Sequence, residues 1–359
     1  MIDMEMSSEQ QQIVDSIRSF LTDVLPYERF VPRPTPVPNQ DCAQFAKLGA
    51  LGVFGLGLAE ADGGVGYSMV EEVLVARELG RFLVSPTAIA TMIGVHVAQA
   101  AGDPELARRL MQGDTPVAPA LAFNAAKNHF AGEYHLVDGD RAEWALAWSE
   151  AGVALVGVDD WSDLKTVASI DSTLWLARVR FNTLMPDLRV AAAKGLWRRA
   201  QLLVCAYLTG LAEAALDDSV EYAKVREQFQ QPIGGFQAIK HRCADMLARS
   251  SIAWNSTIFA ALTDVAEGPD ADFQVIAAKL LASDAAFRNA AINIQNHGAY
   301  GFTGEHHAHL FVKRAHMLDR FGGDATYQKQ RMLAAKPPSQ EGGPVMVGQR
   351  AWTKQEGNI

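Results

Sequence analysis

The stretch Arg226–Gln237 holds the residue types best suited to binding a charged ligand in this chain of 359 residues. It reads Arg-Glu-Gln-Phe-Gln-Gln-Pro-Ile-Gly-Gly-Phe-Gln and lies between two long helical patterns. The guanidinium of Arg226 is a planar, permanently charged fork that suits a pyrophosphate, and Phe229 and Phe236 can pack against rings. Taken alone, the stretch fits a plainer interpretation better: a surface arginine at a helix end, followed by core phenylalanines.

A second polar break that contains glycine follows at another helix end. It reads Gln295-Asn-His-Gly-Ala-Tyr-Gly-Phe-Thr303. Glycine, as at Gly298, lets a backbone approach a ligand closely. A Gly-x-Gly spacing is weak evidence by itself, so the prediction of a binding site depends on the two segments occurring together.

A histidine-rich run, Glu305-His-His-Ala-His309, has the residue types that ligate metals. However, His306 and His309 share a helix face only loosely, and the sequence shows no distant carboxylate or thiol as a further ligand. The sequence therefore predicts no metal here, and histidines that face solvent or a ligand.

Composition limits the classes of function. The chain is 49% apolar and 20% charged, and its net charge of −9 argues against nucleic acid as a partner. No apolar run reaches the roughly 18 residues of a membrane span, and the acidic N-terminus lacks the regions of a signal peptide. Cys42, Cys205 and Cys243 are widely spaced, without a CxxC pair. These features predict a reduced, cytoplasmic protein of two or three domains.

Hydrophobic periodicity divides the chain into three domains and a tail. Residues 1–114 are predicted to form an N-terminal helical domain with a proline-rich connector, 115–188 a middle β domain, 189–335 a C-terminal helical bundle and 336–359 a polar tail. The predicted helices are 9–25, 41–51, 68–79, 88–101, 103–112, 190–225, 236–267, 270–296, 307–319 and 325–334. The predicted strands are 144–148, 153–158 and 174–181. Ser68 and Glu71 predict a capping box.

This order of domains, with several motifs, resembles the acyl-CoA dehydrogenase family. Leu58–Gly66 is similar to the family's Pro-Glu-x-x-Gly-Gly-x-Gly loop, with Ala59 in place of proline. Gly102–Gly113 is similar to the segment that leads into its β domain, and Lys279 fits its penultimate long helix. The resemblance covers nearly the full length. It implies an α+β fold with an N-terminal helical domain, a small middle β-barrel or sandwich domain and a C-terminal four-helix bundle.

The resemblance also implies FAD as the cofactor and an acyl-CoA thioester as the substrate. In the family, the first segment reaches across a subunit boundary to the diphosphate and adenosine end of a neighbour's FAD, and glycine in the second lets the backbone approach the dinucleotide closely. The residues expected to make these contacts are Arg226, Gln228, Phe229, Phe236, Gln237, Gln295 and Gly298. Two positions depart from the pattern. Gln230 replaces a glycine, which puts the local turn in doubt, and Ala299 replaces another, which matters only if that position needs a positive φ.

One part of the family's chemistry, the catalytic base, is missing. The family removes an α-proton with a glutamate while the β-hydrogen leaves as hydride to the flavin. Its usual Tyr-Glu-Gly-Thr segment aligns with Phe321-Gly-Gly-Asp324, which puts Gly322 at the base. The position that some members use instead falls at Ala200, with no carboxylate within several residues. A positioned base contributes roughly 10²- to 10⁴-fold, and no catalytic residue can be named in this chain.

The motifs that bind the isoalloxazine ring in the family are also missing. Most members carry Thr-Glu-Pro-x-x-Gly-Ser-Asp and later Lys-x-x-Ile-Thr in the β domain. The corresponding region here, Ala118–Lys127, has neither motif. The chain is therefore expected to hold the redox ring of FAD poorly.

These features resemble the supporting subunit of heteromeric family members that degrade steroid and bile-acid side chains. The resemblance implies a heterotetramer with a second acyl-CoA dehydrogenase-like subunit, and an electron acceptor such as electron-transfer flavoprotein. Two alternatives stay open. One is a homomeric dehydrogenase whose base has moved to Asp319, Asp324 or Glu305. The other is a non-redox scaffold that kept the fold.

Overall fold

The computed structural model describes residues 4–31, 41–125, 130–149, 152–182, 188–191, 194–335 and 337–338. Helices come first along the chain, then a sheet, then a second and larger group of helices. Most of the predicted proline-rich connector and almost all of the predicted tail lie outside the described residues. The domain boundaries of the sequence analysis stay predictions.

The N-terminal helices are α1 (Ser8–Val24), α2 (Phe45–Ala50), α3 (Met69–Arg81), α4 (Thr87–Ala100) and α5 (Pro104–Met111). Short 3-10 turns cover Tyr27–Phe30, Asp41–Gln44, Val53–Gly55 and Glu60–Asp62. The capping box predicted at Ser68 and Glu71 is confirmed, and Asp103 caps α5 through the N–H of Leu106. These caps satisfy backbone donors that would otherwise be left unpaired at the helix starts.

The middle strands are β1 (Val117–Ala125), β2 (Gly132–Val137), β3 (Trp144–Ser149), β4 (Gly152–Gly157), β5 (Trp161–Thr166), β6 (Leu176–Phe181) and β7 (Leu188–Ala191). They form one sheet in the order β5-β6-β2-β1-β3-β4-β7. Neighbours pair antiparallel except β1 and β3, which are parallel. Leu146 and Leu155 join the core shared with α4, whereas Ala145 and Val156 belong to a separate core on the other face. The three predicted strands are confirmed.

The C-terminal helices are α6 (Lys194–Val225), α7 (Gln237–Val265), α8 (Ala271–His297), α9 (Ala299–Phe302), α10 (Ala308–Asp319) and α11 (Ala325–Ala334). A small hairpin of β8 (Glu227–Gln228) and β9 (Gln231–Pro232) joins α6 to α7. The long predicted helices are confirmed to within a few residues. Among the described residues, Gly195–Val225 is long and apolar enough to cross a bilayer, but 89% of its most apolar window is buried inside the protein.

The N-terminal helices meet the bundle where α3 crosses α6. A Cβ on Gly80 would overlap the carbonyl of Tyr207, and one on Gly210 would overlap the carbonyl of Arg77. Only glycine permits this approach of two helix backbones. The contact fixes the middle of α6, the helix whose start borders the site described below.

Arg314 of α10 joins all three domains. Its side chain is buried and forms a 2.7 Å ion pair with Asp171 of the middle domain. It also donates to the carbonyls of Leu83 and Val84, at 2.7 and 2.9 Å, and to the hydroxyl of Tyr207, at 2.7 Å. Because these acceptors belong to separate domains, one guanidinium sets the position of the sheet relative to both groups of helices.

Candidate functional site

The hairpin after α6 presents the first predicted segment. The N–H of Ile233 donates to the carbonyl of Arg226 at 2.8 Å and closes the hairpin. Its two tip residues, Phe229 and Gln230, have φ values of 53° and 65°. Left-handed backbone costs about 1–2 kcal/mol for a residue other than glycine. Gln230 therefore keeps the left-handed conformation that a glycine would adopt here.

The predicted contact residues of this hairpin face solvent. Arg226, Gln228 and Gln237 are exposed, and Phe229 is 87% exposed. Phe236 is half-buried and meets the Phe229 ring edge-on, with centroids 6.1 Å apart. Within the described part of the chain, the guanidinium of Arg226 has no ion pair or hydrogen bond. The segment is thus an open cation flanked by amides and aromatic rings, which suits an anionic ligand that brings a ring system with it.

The second predicted segment lies at the same end of the bundle. Asn296 donates to Ser219 of α6 at 2.6 Å and accepts from Arg242 of α7 at 3.3 Å. Ser219 is seven residues before Arg226, roughly 10 Å along a helix. The structure therefore brings the end of α8 against α6 and α7, so the exposed Gln295 lies at the same end of the bundle as the hairpin.

Gly298 ends α8 with φ 62° and ψ −141°, and no atom lies within 4 Å of where its Cβ would be. Ala299, by contrast, begins α9 and is not among the described residues with positive φ. The alanine that replaces the second glycine of the family motif is therefore accommodated without backbone strain.

A cavity of about 310 Å³ lies between the middle sheet and the C-terminal helices. Its lining residues are Ala120, Ala122, Ala125, Trp148, Ser149, Trp197, Arg320, Gly322, Gly323, Asp324 and Tyr327. The lining from β1 thus consists of alanines, which bring no polar side chain. Arg331 stacks on the Trp197 ring at 3.7 Å and supports that wall.

Gly322, the position aligned with the usual base, is closed to a side chain. Its φ is 66°, and a Cβ there would overlap the amide of Gln201. Gln201 is fully buried on α6, and Gln328 donates to its oxygen at 3.4 Å and to the Gly322 carbonyl at 2.8 Å. Two glutamines therefore fill the region where a glutamate would start. The alternative position, Ala200, is fully buried as well.

Of the three carboxylates proposed as a relocated base, Asp324 is the one that lines the cavity. Its side chain caps α11 by accepting the N–H of Tyr327 at 3.0 Å, and it lies 3.7 Å from Arg320. Asp319 instead lies 3.9 Å from the buried Lys279. Glu305 is exposed.

The histidine-rich run forms part of a ring stack near the second segment. Tyr27, His307, His306, His297 and Tyr222 stack in that order, with consecutive centroids 4.1–4.4 Å apart.

Asp218 of α6 lies beside this stack. Its carboxylate is 3.3 Å from His307, 3.7 Å from His306 and 3.8 Å from His297. Burial raises the pKa of Asp218, but the hydrogen bond from His307 and its other partners outweigh burial, so the pKa lies below its usual range. Burial lowers the pKa of His306 to about 4.

The sequence analysis missed Gln201 and Asp218. Both lie in the middle of a long apolar helix, where no local motif distinguishes them. Their roles come from partners far along the chain: Gly322 and Gln328 for the first, His297 and His306 for the second. Trp197, one turn before Gln201, is the signal that could have shown which face of α6 meets the cavity.

Comparison with known proteins identifies the chain. The family described as "Acyl-CoA dehydrogenase, N-terminal domain" matches residues 7–113, and "Acyl-CoA dehydrogenase, C-terminal domain" matches residues 191–336. The chain belongs to the acyl-CoA dehydrogenase family. By family and fold it is an FAD-dependent oxidoreductase, and the α+β fold of two helical domains around a middle sheet is confirmed.

Two relatives come from Mycobacterium tuberculosis. The chain is 34% identical to acyl-CoA dehydrogenase IpdE2 over 270 residues, which is 74% of this chain and 77% of that protein. It is 31% identical to acyl-CoA dehydrogenase FadE34 over 305 residues, 81% of this chain. The chain spans 41% of the length of FadE34.

Two solved structures share the fold. A chain of the ChsE4-ChsE5 complex from Mycobacterium tuberculosis matches with a TM-score of 0.78 and 24% identity, over 94% of this chain and 100% of that one. Butyryl-CoA dehydrogenase from Megasphaera elsdenii matches with a TM-score of 0.76 and 20% identity, over 93% and 99%.

The residues present fit the two ends of FAD unequally. The open guanidinium of Arg226 and the exposed amides of Gln228 and Gln295, all at one end of the bundle, offer the donors that a diphosphate takes. At the cavity, the alanines of β1 offer methyl groups, and Ser149 of β3 supplies a hydroxyl.

Proposed function

We propose that this chain is the supporting subunit of a heteromeric, FAD-dependent acyl-CoA dehydrogenase. Its hairpin and the end of α8 would grip the diphosphate and adenosine of an FAD whose flavin ring lies in the partner's site. The observation that carries the proposal is the pairing of an open Arg226 with a base position, Gly322, that Gln201 closes.

The reaction class explains why this pairing matters. When bound, FAD would supply the hydride acceptor that α,β-dehydrogenation of an acyl-CoA needs. The protein must take the α-proton with a base held within hydrogen-bond reach. Gly322 and Ala200 have no group that can accept a proton. A partner subunit would supply that base, while Arg226, Gln228 and Gln237 would bind and orient the cofactor tail.

Arg226 is exposed in the single chain, so the proposal requires a neighbouring subunit to cover it. Support comes from the fold shared with a chain of a complex formed by two differently named proteins, ChsE4 and ChsE5. The proposed assembly is a heterotetramer with fewer FAD molecules than chains.

We further propose a steroid or bile-acid side chain as the acyl group, cytoplasm as the location and an electron-transfer flavoprotein as the electron acceptor. The acyl group and the acceptor follow from the resemblance to heteromeric family members, and the location from the composition of the chain.

The test is the flavin content of the chain co-purified with its dehydrogenase-like partner. Arg226→Ala should remove a charge-assisted contact of about 1.5–3 kcal/mol, which corresponds to FAD binding weaker by roughly 10- to 150-fold. FAD released on dilution is measured by flavin fluorescence.

The matched control is Arg108→Ala, which removes another exposed arginine, on α5 and in an ion pair with Glu105. Its flavin content should equal that of the unmodified complex. An Arg226→Ala complex that retains its FAD as well as the control does would rule out the assigned role. If neither chain nor complex shows flavin absorbance, the non-redox scaffold replaces the proposal.

A homomeric enzyme with a relocated base is the second candidate, because Asp324 lines the cavity. It predicts that the chain purified alone binds one FAD per chain and oxidises an acyl-CoA. Asp324→Asn would then abolish the oxidation and leave the flavin bound. The heteromeric proposal predicts no oxidation by the chain alone, with or without Asp324.

A further inference from the structure

Asp218, His297 and His306 come together from three elements that are distant in sequence. Asp218 lies on α6, His297 is the last residue of α8, and His306 lies in the turn before α10. Their potential ligand atoms all lie within 4.8 Å of one another. The sequence alone predicted no metal because it showed no distant carboxylate near the histidines, and Asp218 is that carboxylate.

His297 has an unpaired nitrogen aimed into this cluster. Its Nδ1–H donates to the carbonyl of Asn293 at 2.9 Å, which leaves a lone pair on Nε2. The side chain is fully buried, and Nε2 has no hydrogen-bond partner. It faces Asp218 Oδ2 at 3.8 Å, too far for a hydrogen bond. A buried lone pair beside a carboxylate is unfavourable unless a proton or a metal cation lies between them.

We propose that Asp218, His297 and His306 form a binding site for a divalent transition metal, with Zn²⁺ as the best match. Zinc binds imidazole nitrogen and carboxylate oxygen at about 2.0–2.2 Å, so ligand atoms of a tetrahedral site lie roughly 3.3 Å apart. Oδ1 of the carboxylate lies 3.7 Å from His306 and Oδ2 lies 3.8 Å from His297. Ligand atoms taken one from each residue lie within 4.8 Å of one another, so shifts of at most about 1.5 Å complete the geometry. The fourth position is left for water.

Neighbouring groups form hydrogen bonds to the carboxylate of Asp218 and to the imidazole of His297. Asn293 donates to Asp218 Oδ2 at 2.8 Å and offers its own carbonyl to His297. Hydrogen bonds of this kind orient the ligands of protein metal sites. The side chains of Asp218 and His306 are 15% and 14% exposed, which gives a cation a way in from solvent.

Metal binding requires a change in the protonation of His306. The N–H of Ala308 donates to its Nδ1 at 3.1 Å, so Nε2 holds the proton in the metal-free chain. A metal on Nε2 would move that proton to Nδ1, which could then no longer accept the hydrogen bond from the N–H of Ala308. His309, which the sequence analysis weighed with His306 and set aside as a metal ligand, lies outside the cluster.

A bound ion would tie the end of α8 to α6 and to the turn before α10. That end carries Gln295 and Gly298, so the metal would stiffen the exposed segment after α8. The site itself is independent of whether the chain binds FAD.

The experiment is equilibrium dialysis of the full-length, untagged protein against Zn²⁺ after treatment with a chelator, with metal content read by mass spectrometry. The unmodified chain should retain one Zn²⁺ per chain. Asp218→Asn should weaken binding by at least about tenfold. His297→Gln should do the same, and far-ultraviolet circular dichroism checks that both variants fold.

Asp217→Asn is the matched control, because it removes the same charge one residue away and outside the cluster. His241→Ala tests for zinc on an exposed histidine elsewhere. Both controls should bind zinc as the unmodified chain does. Co²⁺ in place of Zn²⁺ should give the intense visible absorption of a tetrahedral site.

Three results would overturn the proposal. The first is that the unmodified chain retains no zinc. The second is that the Asp218→Asn variant binds zinc as tightly as the Asp217→Asn variant. The third is that His241→Ala abolishes zinc binding.

Discussion

Gly322 marks a backbone position that cannot carry the family's base in this chain. Its left-handed φ of 66° strains any other residue, and the amide of Gln201 occupies the place of a Cβ. Gln201 is in turn held by Gln328, which also bonds to the Gly322 carbonyl. Neighbouring side chains thus fill the space that a side chain at Gly322 would need, and we expect that a single substitution cannot place a base there.

Gly322→Glu is therefore expected to destabilise the chain without creating a dehydrogenase. The left-handed backbone costs about 1–2 kcal/mol and the overlap with Gln201 about 1–3 kcal/mol more. Urea unfolding measures the change in the free energy of unfolding, and dye reduction with an acyl-CoA measures activity.

Gly304→Ala is the control, because no atom lies within 4 Å of its Cβ position and its φ is not left-handed. It should leave stability unchanged. A Gly322→Glu protein that is stable and oxidises an acyl-CoA would refute this account of the site.

At the scale of elements, α10 holds the three domains in fixed relative positions through the contacts of Arg314. A buried ion pair adds little net stability when complete, but the loss of one partner leaves an uncompensated charge in the interior. Arg314 and Asp171 are both almost fully buried. The cavity between sheet and bundle therefore depends on this junction, although neither residue lines it.

Asp171→Ala should lower the free energy of unfolding by about 3–5 kcal/mol. Chemical denaturation gives the value. Asp284→Ala breaks the exposed pair with Arg288 on α8 and should cost at most about 1 kcal/mol. Equal effects of the two substitutions would contradict a special role for the buried junction.

At the scale of the whole molecule, large apolar side chains are exposed at the end that carries the predicted contacts. Phe229 is 87% exposed, Phe302 79% and Tyr300 41%. Aromatic residues are typical of interface hot spots, where a neighbouring chain covers them. We expect this end of the bundle to be buried by the partner subunit.

The double substitution Phe229→Ser and Phe302→Ser should weaken the complex with that partner. Loss of two aromatic anchors at about 2 kcal/mol each corresponds to roughly 1,000-fold in the dissociation constant, which sedimentation of the mixed subunits would measure. Ile170→Ser removes an exposed apolar side chain of the middle domain as control. Undiminished assembly of the double variant would show that another surface makes the contact.

Local patterns in the sequence were sufficient for the long elements. Alanine- and leucine-rich periodicity marked α6, α7 and α8, and the capping box at Ser68 marked the start of α3, because these signals act within a few residues. The sequence analysis did not predict the strand β1, because its run of alanines around Pro119 lacks the β-branched residues that are typical of strands. The turn at Gln230 was left in doubt, because side-chain type alone does not show that the hairpin keeps a positive φ.

By its residues alone, the sequence determined the family and the order of helices and strands, and it predicted the missing base and the candidate contacts from Arg226 to Gln237. It could do so because periodicity and motifs depend on near neighbours. Only the tertiary structure decided that Gln201 closes the Gly322 position, that Arg314 joins three domains and that Asp218 faces His297 and His306. These pairs lie between 79 and 231 residues apart by their numbers, and only the folded chain brings them into contact.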